Sequence, residues 1–182
     1  MKAMAKENGT DSLRTRLIEA GIEEISAHGI ADFSLRRVAA ACQVSCAAPY
    51  RHFHNREEFI SATVAYINSQ WGLLRNNILR LWPSEPRKQL TELCVAYIRF
   101  LVANDNYRSV LVASGEHWEE NDRMADLMAQ CAAARSEQER QRMLYAMRAL
   151  IYGTVAMLES GELANEDATF EMFRTALYEI IQ

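Results

Sequence analysis

Glycine and proline are scarce in this chain of 182 residues, at seven and three. Sheet proteins lean on both for their many turns, so this scarcity, beside plentiful Ala, Leu, Met, Glu and Arg, argues for an all-helical protein. No apolar run approaches the roughly 18 residues of a membrane span. The polar start MKAMAKENGTDS lacks the layout of a signal peptide or an obvious anchor, so the cytoplasm is the expected location and a membrane is not an expected partner. The four cysteines, Cys42, Cys46, Cys94 and Cys131, are scattered through helical patterns and form no disulfide framework, which fits a reducing compartment. The chain also lacks a phosphate loop and any nucleophile–base pairing, so neither an enzyme nor a bound cofactor is expected.

The chain is long enough to bury one substantial core, or a small module joined to a larger one. Its charge is split. Residues 1–56 hold eight Lys and Arg against six Asp and Glu, and the remainder holds twelve against eighteen, so a net +2 and a net −6 make up the overall −4. Three of the four histidines sit in the positive segment. Such asymmetry suits an anion-binding module on an acidic body.

Hydrophobic spacing gives the elements. Ile18, Ile22 and Ile25 mark a first helix over 12–28, with Gly29 as its stop. Ser34 is a good N-cap for a second, two-turn helix carrying Leu35, Val38, Ala39 and Cys42. Only Gln43 and Val44 separate it from Ser45, which reads as the cap of a third short helix. Two short helices across so tight a turn, preceded by a longer one, are a helix-turn-helix in a three-helix unit. A long fourth helix runs from Arg56 to Leu81 or Trp82, stopped by WPSEP. About five more follow: one striped with Leu90, Leu93, Cys94, Tyr97 and Leu101 and closed by a turn at 104–106, a short one near 107–113, one around 124–131, a long one over about 137–159 ended by Gly161, and one over 167–182. The expected division is a reader domain over 1–56 and a body of roughly six helices over 57–182.

A helix-turn-helix reads DNA by laying the N-terminal residues of its second helix against base edges in the major groove. In VSCAAPYRHF the exposed positions are then Cys46, Ala47, Tyr50 and Arg51, with His52 near the groove wall. Arg suits guanine, and Tyr and His suit phosphate oxygens. Ala47 and Ala48 keep that end slim. Arg36 and Arg37 begin the second helix and Arg56 the fourth, where free backbone N–H groups also attract phosphate. With the caps Ser34 and Ser45 these residues make up the expected DNA-binding set.

The run FSLRRVAAACQVSCAAPYRHFHNREEFI, led by a helix ending in AHG, resembles the DNA-binding domain of the TetR family of bacterial transcriptional regulators. The resemblance is specific over roughly 12–65 and architectural beyond. It implies phosphate contacts from Tyr50, His52 and Arg56, base-edge contacts from Arg36, Ala47 and Arg51, and core packing by Val44 and Phe53. Two departures stand out. Gln43 replaces the usual turn glycine and must hold a left-handed conformation at roughly 1 kcal/mol, and Pro49 replaces a leucine. Without an N–H, Pro49 pushes the start of its helix toward a tighter or irregular turn, and is expected to act as a rigid apolar plug.

In the body, Trp71, Tyr97, Phe100, Tyr107, Trp118, Met124, Met128, Met143 and Met147 are candidates to line a cavity for a small apolar ligand. The last two helices carry apolar residues on more than one face. Leu150, Leu158, Phe170, Phe173, Leu177 and Ile181 are therefore expected at a homodimer interface. Cys42, Cys46, His52 and His54 fit no common zinc spacing, so no metal is expected. His117 with Glu116, Glu119 and Glu120 reads as a solvated helix end. The expected function is that of a ligand-responsive homodimeric repressor on a palindromic operator. A redox-sensing regulator acting through Cys46, and a helical interaction protein that binds no DNA, are the alternatives.

Overall fold

In the computed structural model the backbone is described for residues 4–114 and 119–182, and side chains for 13–111, 113, 114 and 124–182. Among the described residues the regular structure is all helical: α1 (Met4–His28), α2 (Leu35–Ala41), a 3-10 turn (Pro49–Arg51), α3 (Arg56–Leu81), α4 (Pro86–Ala103), α5 (Asp105–Ser114), α6 (Glu119–Cys131), α7 (Glu137–Ser160) and α8 (Asp167–Ile181). They form two compact units, Met1–Ser69 with Asp105–Glu116, and Gln70–Asn104 with His117–Gln182. The first unit thus extends beyond residue 56 into α3 and takes in α5.

The first unit is built on Leu17, Ile18, Ile22 and Ile25 of α1, all buried with Leu35, Val38 and Ala39 of α2. Three phenylalanines complete this core: the Phe59 ring lies 5.1 Å from that of Phe33 and 4.7 Å from that of Phe53. Gly21 admits them. A Cβ at that position would sit 2.3 Å from the Phe59 ring, so no larger residue fits the helix there without displacing it.

The ends of the helices follow from local chemistry. Gly29 stops α1 at φ 75°, its N–H donating to the Ile25 carbonyl at 2.8 Å. Gln43 stops α2 at φ 57°, the left-handed conformation expected of it. Its N–H donates to Ala40 and that of Val44 to Ala39, both at 3.0 Å, the paired bonds of a Schellman cap with Gln in place of Gly. At α3 the Asn55 side chain accepts from the Glu58 N–H at 2.7 Å, while the Glu58 carboxylate takes the His54 N–H. Ser136 and Glu139 form a reciprocal capping box at α7.

Two local expectations change. Residues 104–106 do not form a separate turn: only Asn104 lies between α4 and α5. Asp105 and Asn106 instead offer side-chain oxygens to the N–H groups of Asn106 and Tyr107, at 2.8 and 2.9 Å, which satisfies the first turn of α5 from within. Nor does Ser45 cap an α-helix. Pro49 has no N–H to return to the Ser45 carbonyl, which takes the Ala48 N–H at 2.9 Å, and the chain continues as a 3-10 turn.

The second unit packs α4 against α6, α7 and α8. Its core includes Leu90, Leu93, Tyr97 and Ile98 of α4, Met124 and Leu127 of α6, Met147 and Ile151 of α7, and Phe170, Phe173 and Leu177 of α8. Arg174 of α8 clasps Glu92 of α4 through two N–H···O bonds of 2.9 Å, and the Arg99 guanidinium lies 4.2 Å over the Phe170 ring.

Candidate nucleic-acid interface

The segment between α2 and α3 divides its residues cleanly. Ala48, Pro49 and Phe53 turn inward, while Ser45, Cys46, Ala47, Tyr50 and Arg51 face solvent, Tyr50 with 58% of its surface exposed. The Pro49 carbonyl accepts from both His52 and Phe53, at 2.9 and 3.0 Å. The buried proline therefore anchors the stretch that carries Tyr50 and Arg51, as a plug would. Ala48 corrects the expectation that it keeps the helix slim for the groove: it is 8% exposed and packs into the core, leaving Ala47 as the small outward residue. Ser34 precedes α2 in an extended conformation with no side-chain cap bond, and its carbonyl accepts from Val38. His52 is half-buried beside Phe53.

The arginines separate into two groups. Arg36 and Arg51 are exposed. Arg37 is engaged within its unit, bonded to the Glu24 carboxylate and the Asp32 carbonyl, and the Glu24 bond holds its pKa above the ordinary guanidinium value. Arg56 donates to the carbonyls of Ile30 and Ala31. Both side chains tie the 29–34 loop to its neighbours. Sequence reading does not distinguish the groups because a guanidinium's partner here is a backbone carbonyl or a carboxylate brought close only by folding.

Cys46 is exposed. Cys42 is buried, its thiol donating to the Arg16 carbonyl at 3.4 Å, and burial raises its pKa. The two thiols belong to different environments. Among the described residues no three His, Cys, Asp or Glu gather as metal ligands.

Of the candidate ligand-lining residues, Trp71, Tyr97, Met124, Met128 and Met147 are buried in the second unit, and Phe100 and Met143 are half-buried. Trp71, Tyr97 and Phe100 form one aromatic cluster. Met143 instead lines an open cleft with mostly polar neighbours, among them Arg135, Glu139 and Glu179. Tyr107 belongs elsewhere: it lies in the first unit, where α5 packs on α1, and interacts with Tyr66 and Glu19. This corrects its assignment to the body. Trp118 lies outside the described residues. The pair Tyr66 and Glu19, bonded at 2.9 Å, is not visible in the sequence because 47 positions separate them.

The expected dimer residues need a second correction. Phe170, Phe173, Leu177 and Ile181 all turn into their own unit's core, and Leu150 and Leu158 are half-buried. The outward apolar residues are others: Tyr145, Tyr152 and Met157 on α7, Met172 and Tyr178 on α8. Tyr145, Ala149, Tyr152 and Ala156 are all exposed, at the i, i+4, i+7, i+11 spacing of one helix face. That stripe is readable in the sequence, but a second one, Met147, Ile151, Thr154 and Val155, competes with it and is the one that is buried.

The head thus carries an exposed Tyr-Arg pair, and the regular structure described in the second unit is all helical. Residues 17–63 match the model of the bacterial regulatory proteins of the tetR family. The chain is 26% identical over 123 residues to the "Probable acrEF/envCD operon repressor" of Escherichia coli strain K12; the match covers 66% of this chain and spans only 56% of the relative's length. A TetR family transcription regulator from Marinobacter aquaeolei VT8 has a similar fold at 18% identity, with a TM-score of 0.72 over 96% of this chain and 97% of the other. So has a TetR variant from Acinetobacter baumannii AYE, solved in complex with minocycline, at 21% identity and a TM-score of 0.57 over 91% and 92%. Over residues 17–63 the chain is thus similar to the tetR family of bacterial regulatory proteins, and its fold is similar to that of solved members.

Proposed function

We propose that the protein is a DNA-binding transcriptional repressor that works as a homodimer on a palindromic operator and releases it when a small, largely apolar ligand binds the second unit. The observation that carries this reading is the segment 45–53, where a buried Pro49 and Phe53 present Tyr50 and Arg51 to solvent within the stretch that matches the family model. Arg51 and Arg36 are the residues for base edges; Tyr50 and His52 serve phosphates. Arg37 and Arg56 contribute mainly by fixing the loop that supports α2. The similar fold of a minocycline-bound protein and the operon-repressor relative support ligand response and repression.

The exposed stripe on α7, with Met172 and Tyr178 on α8, supports a second copy as the covering partner, since aromatic and Met residues are favoured at interface cores. Two heads on such a dimer would meet successive major grooves about 34–36 Å apart, or somewhat more, and so read a palindrome.

The test is fluorescence anisotropy with labelled DNA from the region upstream of the gene. Arg51→Ala should weaken specific binding by about 1–3 kcal/mol and relax sequence preference. Tyr50→Phe should weaken all sequences alike. An Arg51→Ala protein with unchanged affinity and preference would overturn the docking, and an absence of salt-sensitive DNA binding would overturn the function.

A further inference from the structure

The aromatic cluster of the second unit contains a polar atom for which the fold has no use. Trp71 is 1% exposed, and its indole Nε1–H is buried without a hydrogen-bond partner. The rings of Tyr97 and Phe100 lie 5.2 and 5.4 Å away, tilted by 58° and 49°. A buried indole N–H usually finds an acceptor, and leaving one unpaired lowers stability. Among the described residues the buried hydroxyls obey that rule. Thr63, Thr154 and Thr169, all buried, each donate to a backbone carbonyl, at 2.8, 2.7 and 2.7 Å. Among the described residues the Nε atoms of Arg56 and Arg148 are also buried without a partner, but each guanidinium carries further N–H donors. Trp71 has a single donor.

A phenylalanine would fill an apolar core without that penalty, so the indole needs another justification. Two of the three residues, Trp71 and Tyr97, are buried, and Phe100 is half-buried. We propose that Trp71 is the specificity-determining donor of the ligand site, which takes a planar apolar molecule bearing an oxygen acceptor, a ketone or a carboxylate, with its oxygen on Trp71 Nε1 and its body against Tyr97 and Phe100. This rests on the ligand-responsive reading above. Three aromatic rings also suit a quaternary ammonium ion, but an inward N–H presents positive charge to it. The donor therefore selects for lone pairs and against cations.

Three probes of one shape separate these chemistries on the full-length protein by calorimetry: 2-acetylnaphthalene, 2-ethylnaphthalene, which lacks the acceptor, and (2-naphthylmethyl)trimethylammonium. The ketone should bind roughly tenfold or more tightly than the hydrocarbon, as a site with an unpaired buried donor discriminates against an analogue without its partner. It should also move the Trp71 indole resonance downfield in a proton–nitrogen spectrum, a peak identified by its loss in Trp71→Phe. In that variant the ketone should lose its advantage while the hydrocarbon still binds. Equal affinity for ketone and hydrocarbon, tightest binding of the cation, an unmoved Trp71 resonance, or no binding of any probe would overturn the proposal. The first two comparisons use only the parent protein, so they decide the matter even if Trp71→Phe fails to fold. Operator release is read separately. A ketone that engages Trp71 but leaves the DNA complex intact would spare this inference and remove the ligand-response reading, whereas release by compounds that never move the Trp71 peak would do the reverse.

Discussion

The two units bury their aromatic residues for different ends. In the first, Phe33, Phe53 and Phe59 close on one another and on Gly21, and the Arg14 guanidinium lies 5.2 Å over the Phe53 ring. In the second, Trp71 brings an unpaired donor into the company of Tyr97 and Phe100. A ring cluster whose polar neighbours are already engaged holds the side chains around it in fixed positions. That is what the proposed reading of base edges would require. A core with an unsatisfied donor gives up stability that a bound acceptor restores, and a ligand that binds only the folded state stabilises it by mass action.

Several substitutions sharpen this contrast. The largest effect belongs to the second unit's inward face: Leu177→Ala, at a fully buried position, should lower stability by about 2–5 kcal/mol in urea melts. Tyr152 on the outward face, 47% exposed, should behave differently. Tyr152→Glu should keep the helical circular dichroism spectrum but shift sedimentation from dimer to monomer and weaken binding to a palindrome. A Tyr152→Glu protein that unfolds, or a Leu177→Ala protein that stays fully stable, would reverse the assignment of faces.

In the first unit the tightness of the core can be challenged directly. Gly21→Ala adds a methyl where the Phe59 ring stands 2.3 Å away, so overpacking of about 1–3 kcal/mol should outweigh the gain of about 1 kcal/mol in helix propensity. A net loss in thermal unfolding is expected. Gln43→Gly should act in the opposite direction. It relieves the left-handed backbone at φ 57° and should stabilise by about 1 kcal/mol without changing operator preference, since Gln43 sits in the turn and not on the reading face.

The smallest effect is a pH dependence. Burial, together with the bond to the Glu19 carboxylate, pushes the Tyr66 pKa up to about 12 from an ordinary value of 10.0. Between these values the folded protein keeps a proton that the unfolded chain has lost, so stability should be flat below pH 10 and fall as pH rises toward 12. Tyr66→Phe should remove that component. The check is the difference between parent and variant in urea midpoints across the window, because other groups titrate there too.

Much of the head was legible because its signals are local. Gly29, Ser34 and the Gln43-Val44 turn act within a few residues, and a proline removes its N–H whatever surrounds it, so the irregular reader segment followed from Pro49 alone. The family resemblance over the same stretch agreed with the match at 17–63. The roles of Arg37 and Arg56 were not legible, since each depends on carbonyls and a carboxylate brought near by the packing of α1 and α2.

By itself, then, the sequence determined an all-helical chain, several of its helix ends, a helix-turn-helix near the N-terminus and the exposed Tyr50-Arg51 pair, because helix periodicity, caps and backbone conformation are set by near neighbours. Tertiary structure decided what periodicity leaves degenerate. Only packing against α4 and α8 settled which of two apolar stripes on α7 turns inward, only the meeting of α5 with α1 moved Tyr107 into the first unit, and only the closing of Tyr97 and Phe100 around Trp71 left an indole N–H without an acceptor. A hydrophobic pattern records that a side chain prefers to leave water; which neighbours receive it, and whether its one polar atom finds a partner, depends on residues far away in the chain.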